Sequence, residues 1–170
     1  MPVAFDPDDR DAPTKETIHP EPTRCTTTEP TIGDPPPEYF VLGGNHLGTA
    51  IARRLQAEGH AVALVDETHV PDDVPGLCGD PTDVEVLETA RVEEASTVVV
   101  ATSRDSRNLL VAQHLRSQFE VSEVIVLVHT PDRCETLADT GHEPVCVTSV
   151  LSNALLGPIS TETREFDRTV

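Results

Sequence analysis

The amino-acid sequence predicts an α/β fold in which a parallel sheet is doubly wound, with helices on both of its faces. Short, apolar, β-favouring runs alternate with helical patterns from Tyr39 to Leu155, and the connections between them are short. A glycine-rich turn, from Gly43 to Gly48, joins the first strand to the first helix. Asp66 closes the second strand about twenty positions after that turn. These features are typical of a Rossmann-like sheet of about six strands in a single domain.

The first three elements form a strand, a helix and a second strand. Residues 39–42 are an apolar run without alternation, which suits a central strand covered on both faces. Gly59 ends the following helix, and residues 60–65 form the second strand. The helix is expected to turn four apolar side chains towards the sheet: Leu47, Ala50, Ile51 and Leu55.

The next segment is predicted to be a loop, because Pro71, Pro75 and the acidic pair at residues 72–73 disfavour a second helix there. Residues 76–80 are predicted as the third strand, with Cys78 as a small core residue and not a reactive thiol. Residues 81–83 begin the next helix. The buried face of that helix is expected to contain Val84, Leu87 and Val92.

The second half of the chain continues the alternation. Strands are predicted at residues 97–102, 123–128 and 145–147. Between them, a helix that reaches about residue 119 buries Leu109, Leu110, Ala112 and Leu115. A short helix that starts at residues 130–132 and stops at Gly141 buries Leu137 and Ala138. Ser149 is expected to cap a last helix, which ends at residues 157–158 and carries an apolar face of Val150, Leu151, Ala154, Leu155 and Leu156.

Three segments are expected along the chain. Residues 1–37 contain most of the prolines and many acidic residues without an apolar period, which predicts a disordered acidic tail. Residues 38–157 form the Rossmann-like domain, and residues 158–170 form a short polar tail. Cys25 and His19 lie in the first tail, where no function is expected of them.

The composition excludes several classes of function. The net charge is −18, with 30 acidic against 12 basic side chains, and such a surface repels nucleic acids and anionic lipids. Abundant acid with a single lysine, Lys15, resembles proteins of a high-salt, halophilic cytoplasm. No run is long and apolar enough to insert into a membrane. The four cysteines form no C-x-x-C pair, so reduced thiols, a cytoplasmic location and the absence of a metal site are expected.

The turn between the first strand and the first helix departs from G-x-G-x-x-G, because Asn45 stands at its second glycine position. Asn tolerates the backbone of such a turn better than other side chains do. Two interpretations remain open: a nucleotide site, and a domain that keeps the turn for packing and has lost its ligand. Likewise, His46 either donates a hydrogen bond to a phosphate or is simply exposed.

The chain resembles the N-terminal nucleotide-binding domains of TrkA-type and RCK-type (KTN) regulators of potassium transport, over residues 39 to about 155. The resemblance rests on residues 41–48, on Val65-Asp66, on residues 79–82 followed by Leu87, and on residues 99–103 followed by Asn108-Leu109. Members of this family bind NAD(H), or ATP and ADP, and regulate a channel or transporter as a dimer or ring. By position, the resemblance implies that Gly43, Asn45, His46, Leu47 and Gly48 cradle the phosphates. It further implies that Asp66 holds the ribose, Asp80 lies near the adenine, and Thr102 and Ser103 border the cleft.

Three functions are therefore considered. The first is a non-catalytic nucleotide sensor, forming a homodimer or a higher ring, that controls a separate membrane potassium channel or transporter from the cytoplasmic side. The second is a small NAD-dependent oxidoreductase, but a short-chain dehydrogenase needs a Tyr-x-x-x-Lys pair, and the chain's single tyrosine and single lysine are Tyr39 and Lys15. The third is a scaffold with a vestigial cleft. The apolar face of the last helix predicts a dimer contact, unless that helix folds back onto its own sheet.

Overall fold

The computed structural model describes residues 36–43, 45–139 and 141–162; the side chains of Asn45 and of residues 157–162 are not described. The strands are β1 (Tyr39–Leu42), β2 (Val62–Asp66), β3 (Gly76–Cys78), β4 (Thr97–Val100), β5 (Glu123–Val128) and β6 (Glu143–Cys146). The helices are α1 (Asn45–Ala57), α2 (Val84–Ala90), α3 (Asp105–Ser117), α4 (Asp132–Asp139) and α5 (Val147–Glu162). A 3₁₀ turn covers Val92–Glu94. Residues 1–35 of the expected acidic tail lie outside the described residues.

All six strands lie in one parallel sheet with the order β3-β2-β1-β4-β5-β6. This is the order of a Rossmann fold, and it confirms the predicted fold class. The chain progresses outward from β1 in one direction, then returns to the other side of β1 at β4. Tyr39 is accordingly paired with Val62 on one side and with Thr97 on the other.

Both faces of the sheet are buried, which explains the lack of alternation in the central strands. Successive residues of β1 belong to different cores: Phe40 and Leu42 face one side, and Val41 faces the other. The first core packs against α2, α3 and α4 and the second mainly against α1. A parallel strand that is covered twice has no polar face, so its sequence is a continuous apolar run.

The predicted inward faces of three helices were partly wrong. In α1, Leu47 and Ala50 are exposed, and Gly48 and Ala52 are buried. Ile51 and Leu55 are half-buried and pack against the core, as predicted. The helix lies so close to the sheet that Gly48 and Ala52, two of its smallest residues, are buried as well. In α3, Leu110 is 45% exposed and Leu109 is only half-buried. The buried stripe of this helix consists of Asn108, Val111, Ala112 and Leu115. In α4, Leu137 is buried as predicted, but Ala138 is exposed.

Several element boundaries also differ from the prediction. Strands β3 and β4 end two residues earlier than expected, because the chain turns at residues 79 and 101 to form the edge of the crevice described below. Val147 is the first residue of α5 and not the end of β6, so Ser149 lies within the first turn instead of capping it. The last helix continues through residues 157–158 to Glu162. A proline removes one backbone hydrogen bond and crowds the carbonyl four residues before it, so the sequence favours an end at this point although the helix continues past it.

Cys78 is disulfide-bonded, which corrects the expectation of a reduced core thiol. Cys134 and Cys146 are free thiols. The spacing of the cysteines along the chain gave no sign of this difference, because pairing depends on which segments the fold brings together. Within the described ranges, no helix is long and apolar enough to span a bilayer, and no three His, Cys, Asp or Glu side chains are arranged to hold a metal ion.

Candidate nucleotide-binding site

A crevice opens at the carboxyl edge of the sheet, between β1 and β4. Leu42 and Val100 lie side by side at the ends of these strands, and the chain then leaves in opposite directions, to α1 and to α3. Such a point, where the strand order reverses, is where doubly wound folds bind ligands. The residues that line its small cavity, of ≈ 20 Å³, are Gly43, Asp66, Glu67, Pro81, Thr102, Ser103 and Arg107. The predicted juxtaposition of the glycine turn with Thr102 and Ser103 is thus present.

Two glycines of the turn are required by its geometry. Gly43 has a φ of 73°, and its N–H donates to the carbonyl of Val65 over 2.6 Å. A Cβ at residue 43 would lie 2.8 Å from Cγ2 of Thr102, and a Cβ at residue 48 would lie 2.1 Å from the carbonyl oxygen of Gly43. The first glycine therefore allows the turn to form beside β4, and Gly48 allows α1 to approach it.

The first turn of α1 begins immediately after β1, at Asn45. The first N–H groups of a helix have no partner within the helix, so this turn presents backbone donors and the positive end of the helix dipole at the crevice. Gly44 and the side chain of Asn45 lie outside the described residues. His46 and Leu47 are both exposed, and His46 borders an open pocket of ≈ 490 Å³ together with Thr49, Arg53, Thr68, His69 and Pro71.

Asp66 ends β2 at the position expected for a ribose-binding acid, and it is 4% exposed. Its Oδ1 accepts hydrogen bonds from the backbone N–H of Thr68 over 2.8 Å, from the Thr68 hydroxyl over 2.5 Å and from the N–H of His69 over 3.1 Å. The carboxylate thus shapes the loop between β2 and β3 as well as standing at the crevice. The sequence predicts the position of this acid but not its structural contribution to the loop.

Asp80 follows β3 and is arranged in the same manner, since its Oδ1 accepts from the backbone N–H and the hydroxyl of Thr82 over 2.8 and 2.7 Å. The same oxygen accepts from Arg107 over 2.5 Å. Partial burial by itself raises the pKa of Asp80, but the bonds from Thr82 and Arg107 outweigh burial and lower that pKa below its ordinary value. Asp80 is therefore held as a carboxylate beside the crevice.

Arg107 is a residue of this site that no pattern in the sequence indicates. It lies in the first turns of α3 and donates two hydrogen bonds to Glu67, over 2.8 and 3.2 Å, in addition to its bond with Asp80. Hydrogen bonding to Glu67 is the first cause that raises the pKa of Arg107, and the bond to Asp80 raises it further. Arg107 thus connects the segments after β2, β3 and β4. Its partners lie 40 and 27 positions away in the sequence, a separation that no local pattern reveals.

Thr102 is fixed from behind by Asn108, which is fully buried. The Asn108 Oδ1 accepts from the N–H and the hydroxyl of Thr102, over 2.9 and 2.5 Å. Its Nδ2 donates to the carbonyls of Thr102 and Leu127, over 3.2 and 2.8 Å. One amide side chain therefore holds the loop after β4 against β5, and it determines where Thr102 borders the crevice.

Asp105 anchors the same loop on its other side. Its two oxygens accept from the backbone N–H groups of His129 and Thr130, over 2.8 and 3.0 Å, so the start of α3 is tied to the end of β5. Burial raises the pKa of Asp105, but these hydrogen bonds outweigh burial and lower it. Fixed acids and a bridging guanidinium thus lie around the crevice near the first N–H groups of α1, an arrangement suited to binding phosphate and ribose.

The chain matches the family model of the TrkA-N domain over residues 39–148. It is 30% identical over 112 residues to a "Trk system potassium uptake protein TrkA homolog" of Methanothermobacter thermautotrophicus, which covers 62% of this chain and 51% of the relative. A homologue of the same name from Pyrococcus abyssi is 36% identical over 86 residues, covering 45% of this chain and 38% of the relative. The chain thus spans about half the length, or less, of the curated relatives it matches.

Three solved structures carry the same fold at somewhat lower identity. The NAD(P)-binding domain of an exopolyphosphatase-related protein from Archaeoglobus fulgidus is 27% identical with a TM-score of 0.61, and the match covers 74% of this chain and 98% of that one. GsuK bound to ADP is 25% identical with a TM-score of 0.63, covering 69% of this chain and 32% of that one. The GsuK RCK domain has a TM-score of 0.68 at 24% identity, over 75% of this chain and 29% of that one, which shows the shared fold alone.

Proposed function

The chain belongs to the TrkA-N domain family, and from that premise we propose that it is a non-catalytic regulatory subunit that binds NAD(H) and controls a separate potassium channel or transporter. One observation carries the binding proposal: the glycine turn and Asp66 stand together at the strand-order reversal, where Gly43 and Gly48 have no room for a side chain. ADP or ATP is the alternative ligand, since GsuK has been solved with ADP.

The regulatory part of the proposal is supported by the names of the relatives. The curated matches are potassium uptake proteins of the Trk system, and GsuK is a channel with an RCK domain. The polar side chains around the crevice support binding rather than catalysis, because Asp66, Asp80 and Asn108 each accept hydrogen bonds that hold the backbone. A site near the membrane, reached through a transporter partner, follows from this role.

Cofactor choice tests the binding proposal. Asp66 favours free ribose hydroxyls and repels a 2′-phosphate, so NADH is expected to bind more tightly than NADPH. Asp66→Asn keeps an oxygen for Thr68 and His69 but removes the charge, and it is expected to weaken NADH binding by about tenfold or more. Isothermal titration with NADH, NADPH and ADP measures this. Asp72→Asn, an exposed acid in the same loop, is the matched control and is expected to bind like the wild type.

Each outcome of the titration has a distinct meaning. Tighter binding of NADPH than of NADH would refute the assigned role of Asp66. Binding of ADP alone would favour the adenine-nucleotide alternative. Binding of no nucleotide would support a scaffold with a vestigial cleft. The regulatory proposal is tested separately, by potassium uptake in source cells that express Asp66→Asn or Asp72→Asn in place of the wild type; equal uptake in the two would contradict it.

We also propose that the protein acts as a homodimer, or as part of a larger ring, joined largely through α5. Val150, Leu151 and Leu155 are 54, 56 and 67% exposed, and they follow one another at helical spacing. Their exposure supports a contact with another copy over packing of α5 against its own sheet edge, which is the alternative that the sequence left open. A second copy of the chain is the proposed occupant, because the same apolar face on two copies is complementary to itself.

Light scattering of purified variants tests this contact. Leu151→Glu with Leu155→Glu is expected to give a folded monomer, since both side chains are exposed within one chain. Ser152→Glu with Asn153→Glu adds the same charge on the other side of α5 and is expected to leave the dimer intact. A wild-type protein that is monomeric at micromolar concentration would refute the proposal, as would equal dissociation of the two double variants.

A further inference from the structure

Two free thiols lie in contact at the far side of the sheet from β3. Cys134 is in α4 and Cys146 is the last residue of β6, an element that packs against α4. Both are half-buried, and the thiol of Cys134 shares a hydrogen bond with the sulfur of Cys146. The nucleotide proposal makes no use of this pair.

Cys146 has the surroundings of a reactive thiol. It directly precedes α5, and the hydroxyl of Ser149 donates to its Sγ over 3.2 Å. The backbone N–H groups of Ser149 and Thr148 also point at the sulfur. The Ser149 hydroxyl is the largest of the contributions that lower the pKa of Cys146, followed by the Ser149 N–H. Hydrogen bonds and the positive end of a helix stabilise a thiolate in this way.

Cys134 is affected in the opposite direction. Burial is the first cause that raises its pKa, and the contact with Cys146 is the second. The pair is therefore asymmetric, with one sulfur disposed to be a thiolate and the other held as a thiol. This is the arrangement of a nucleophilic cysteine beside a resolving cysteine.

We propose that Cys146 is a modification site that reacts with low-molecular-weight disulfides, and that Cys134 resolves the resulting adduct into an intramolecular disulfide. In the first step the Cys146 thiolate attacks one sulfur of R–S–S–R, a protein-to-ligand S–S bond forms, and R–S⁻ leaves and takes a proton from water. In the second step Cys134 loses its proton to water and attacks the sulfur of Cys146, which releases the second R–S⁻. Two protein thiols are oxidised, and one small disulfide is reduced to two thiols.

The product would tie α4 to the beginning of α5. Since α5 carries the exposed leucine face, the bond would stiffen the base of the helix that projects it. The chemistry of the pair does not depend on the nucleotide proposal, and it is tested without nucleotide.

The test treats the full chain with bis(2-hydroxyethyl) disulfide near neutral pH and maps its peptides. Cys134 and Cys146 fall in one tryptic peptide, residues 134–164, because no Lys or Arg lies between them, while Cys25 and Cys78 fall in others. The wild-type peptide is expected to lose two hydrogen atoms. Cys134→Ser is expected to retain one hydroxyethyl group on Cys146, and Cys146→Ser is expected to leave Cys134 unmodified over the same time.

Two serine variants separate the proposed activation from mere exposure. Ser149→Ala removes the hydroxyl that bonds to the Cys146 sulfur, whereas Ser152→Ala removes an exposed hydroxyl that donates to the carbonyl of Thr148 in the same helix. Alkylation of Cys146 by iodoacetamide, followed against pH, is expected to be several-fold slower near neutral pH in Ser149→Ala and unchanged in Ser152→Ala.

Three results would overturn the proposal. One is alkylation of Cys146 no faster in the folded chain than in the chain unfolded in urea at the same pH. Another is identical pH profiles for the two serine variants. The third is a wild-type peptide that keeps both thiols, or that carries a hydroxyethyl group on each cysteine.

Discussion

Replacing Asn108 by Ala tests whether a single buried amide fixes the loop that borders the crevice. The substitution removes the acceptor of the Thr102 N–H and the donor to the Leu127 carbonyl. The Thr102 hydroxyl still has its hydrogen bond to the carbonyl of Arg104, and the Thr102 carbonyl still accepts from Nε2 of His129. The main cost is thus one buried N–H without a partner, about 1–3 kcal/mol, plus about 1 kcal/mol for the lost Leu127 bond.

We therefore expect Asn108→Ala to lower the free energy of unfolding by about 3 kcal/mol. With a urea dependence of about 2 kcal/mol per molar, the unfolding midpoint falls by roughly 1.5 M. Equilibrium urea unfolding followed by circular dichroism measures it. Gln113→Ala, an exposed amide in the same helix, is the control and is expected to stay within about 0.5 kcal/mol of the wild type.

Asn108→Asp provides a second, pH-dependent arm. The protonated carboxyl can replace the amide as a donor to a carbonyl, whereas the ionised carboxylate would be a buried charge facing the carbonyls of Thr102 and Leu127. This variant is expected to lose stability as the pH rises from about 5 to about 8. A loss below about 1 kcal/mol in Asn108→Ala, together with a pH-independent Asn108→Asp, would refute the assigned role of the amide.

Three further predictions concern the turn and the periphery of the sheet. Gly48→Ala is expected to lose about 2 kcal/mol or more in urea unfolding, because its Cβ would lie 2.1 Å from the Gly43 carbonyl oxygen; wild-type stability would contradict that close approach. Asn45→Gly is expected to bind NADH as tightly as the wild type or more tightly in a titration, and a large loss would mean that the amide itself contacts the ligand. The pKa of His142 is lowered first by burial and then by the charge of Arg116. Below about pH 6.5 the unfolded chain therefore takes up a proton on this side chain that the folded chain does not. Urea unfolding should accordingly show stability falling from about pH 7 to about pH 5.5, with a smaller fall in His142→Gln.

The fold could be predicted from sequence because its signal is local. Each central strand is an uninterrupted apolar run, and β1 and β5 have the bounds that the sequence indicates. The alternation of strands with helices then restricts the topology to a few arrangements, of which the observed strand order is the commonest for this pattern. The orientation of α1 could not be predicted in the same way. Its depth on the sheet is set by the absence of a side chain at Gly48, and this brings Ala52 inward in place of the larger Leu47.

The candidate site was predictable where one residue type at one position is required. Gly43, Gly48 and Asp66 are of this kind, since each occupies a fixed place in the strand, turn and helix unit. Arg107 was not predictable, because its contribution comes from partners on two other loops. The reactive surroundings of Cys146 were missed for a related reason: they depend on α5 starting at Val147, two residues before the predicted cap.

The start of α3 is where the two halves of the sheet are joined around the crevice. Arg107 connects it to the loops after β2 and β3, and Asp105 and Asn108 connect it to β5. The bonds of Arg107 are partly exposed to water, so each contributes about 1 kcal/mol or less. A ligand that displaces Glu67 or Asp80 from Arg107 therefore needs little energy to release α3 from the loops after β2 and β3. The buried bonds still hold α3 to β5. This cost is within the roughly 1–3 kcal/mol by which one binding event typically biases another. We therefore expect a nucleotide bound as proposed above to loosen α3 from the loops after β2 and β3 while its attachment to β5 persists.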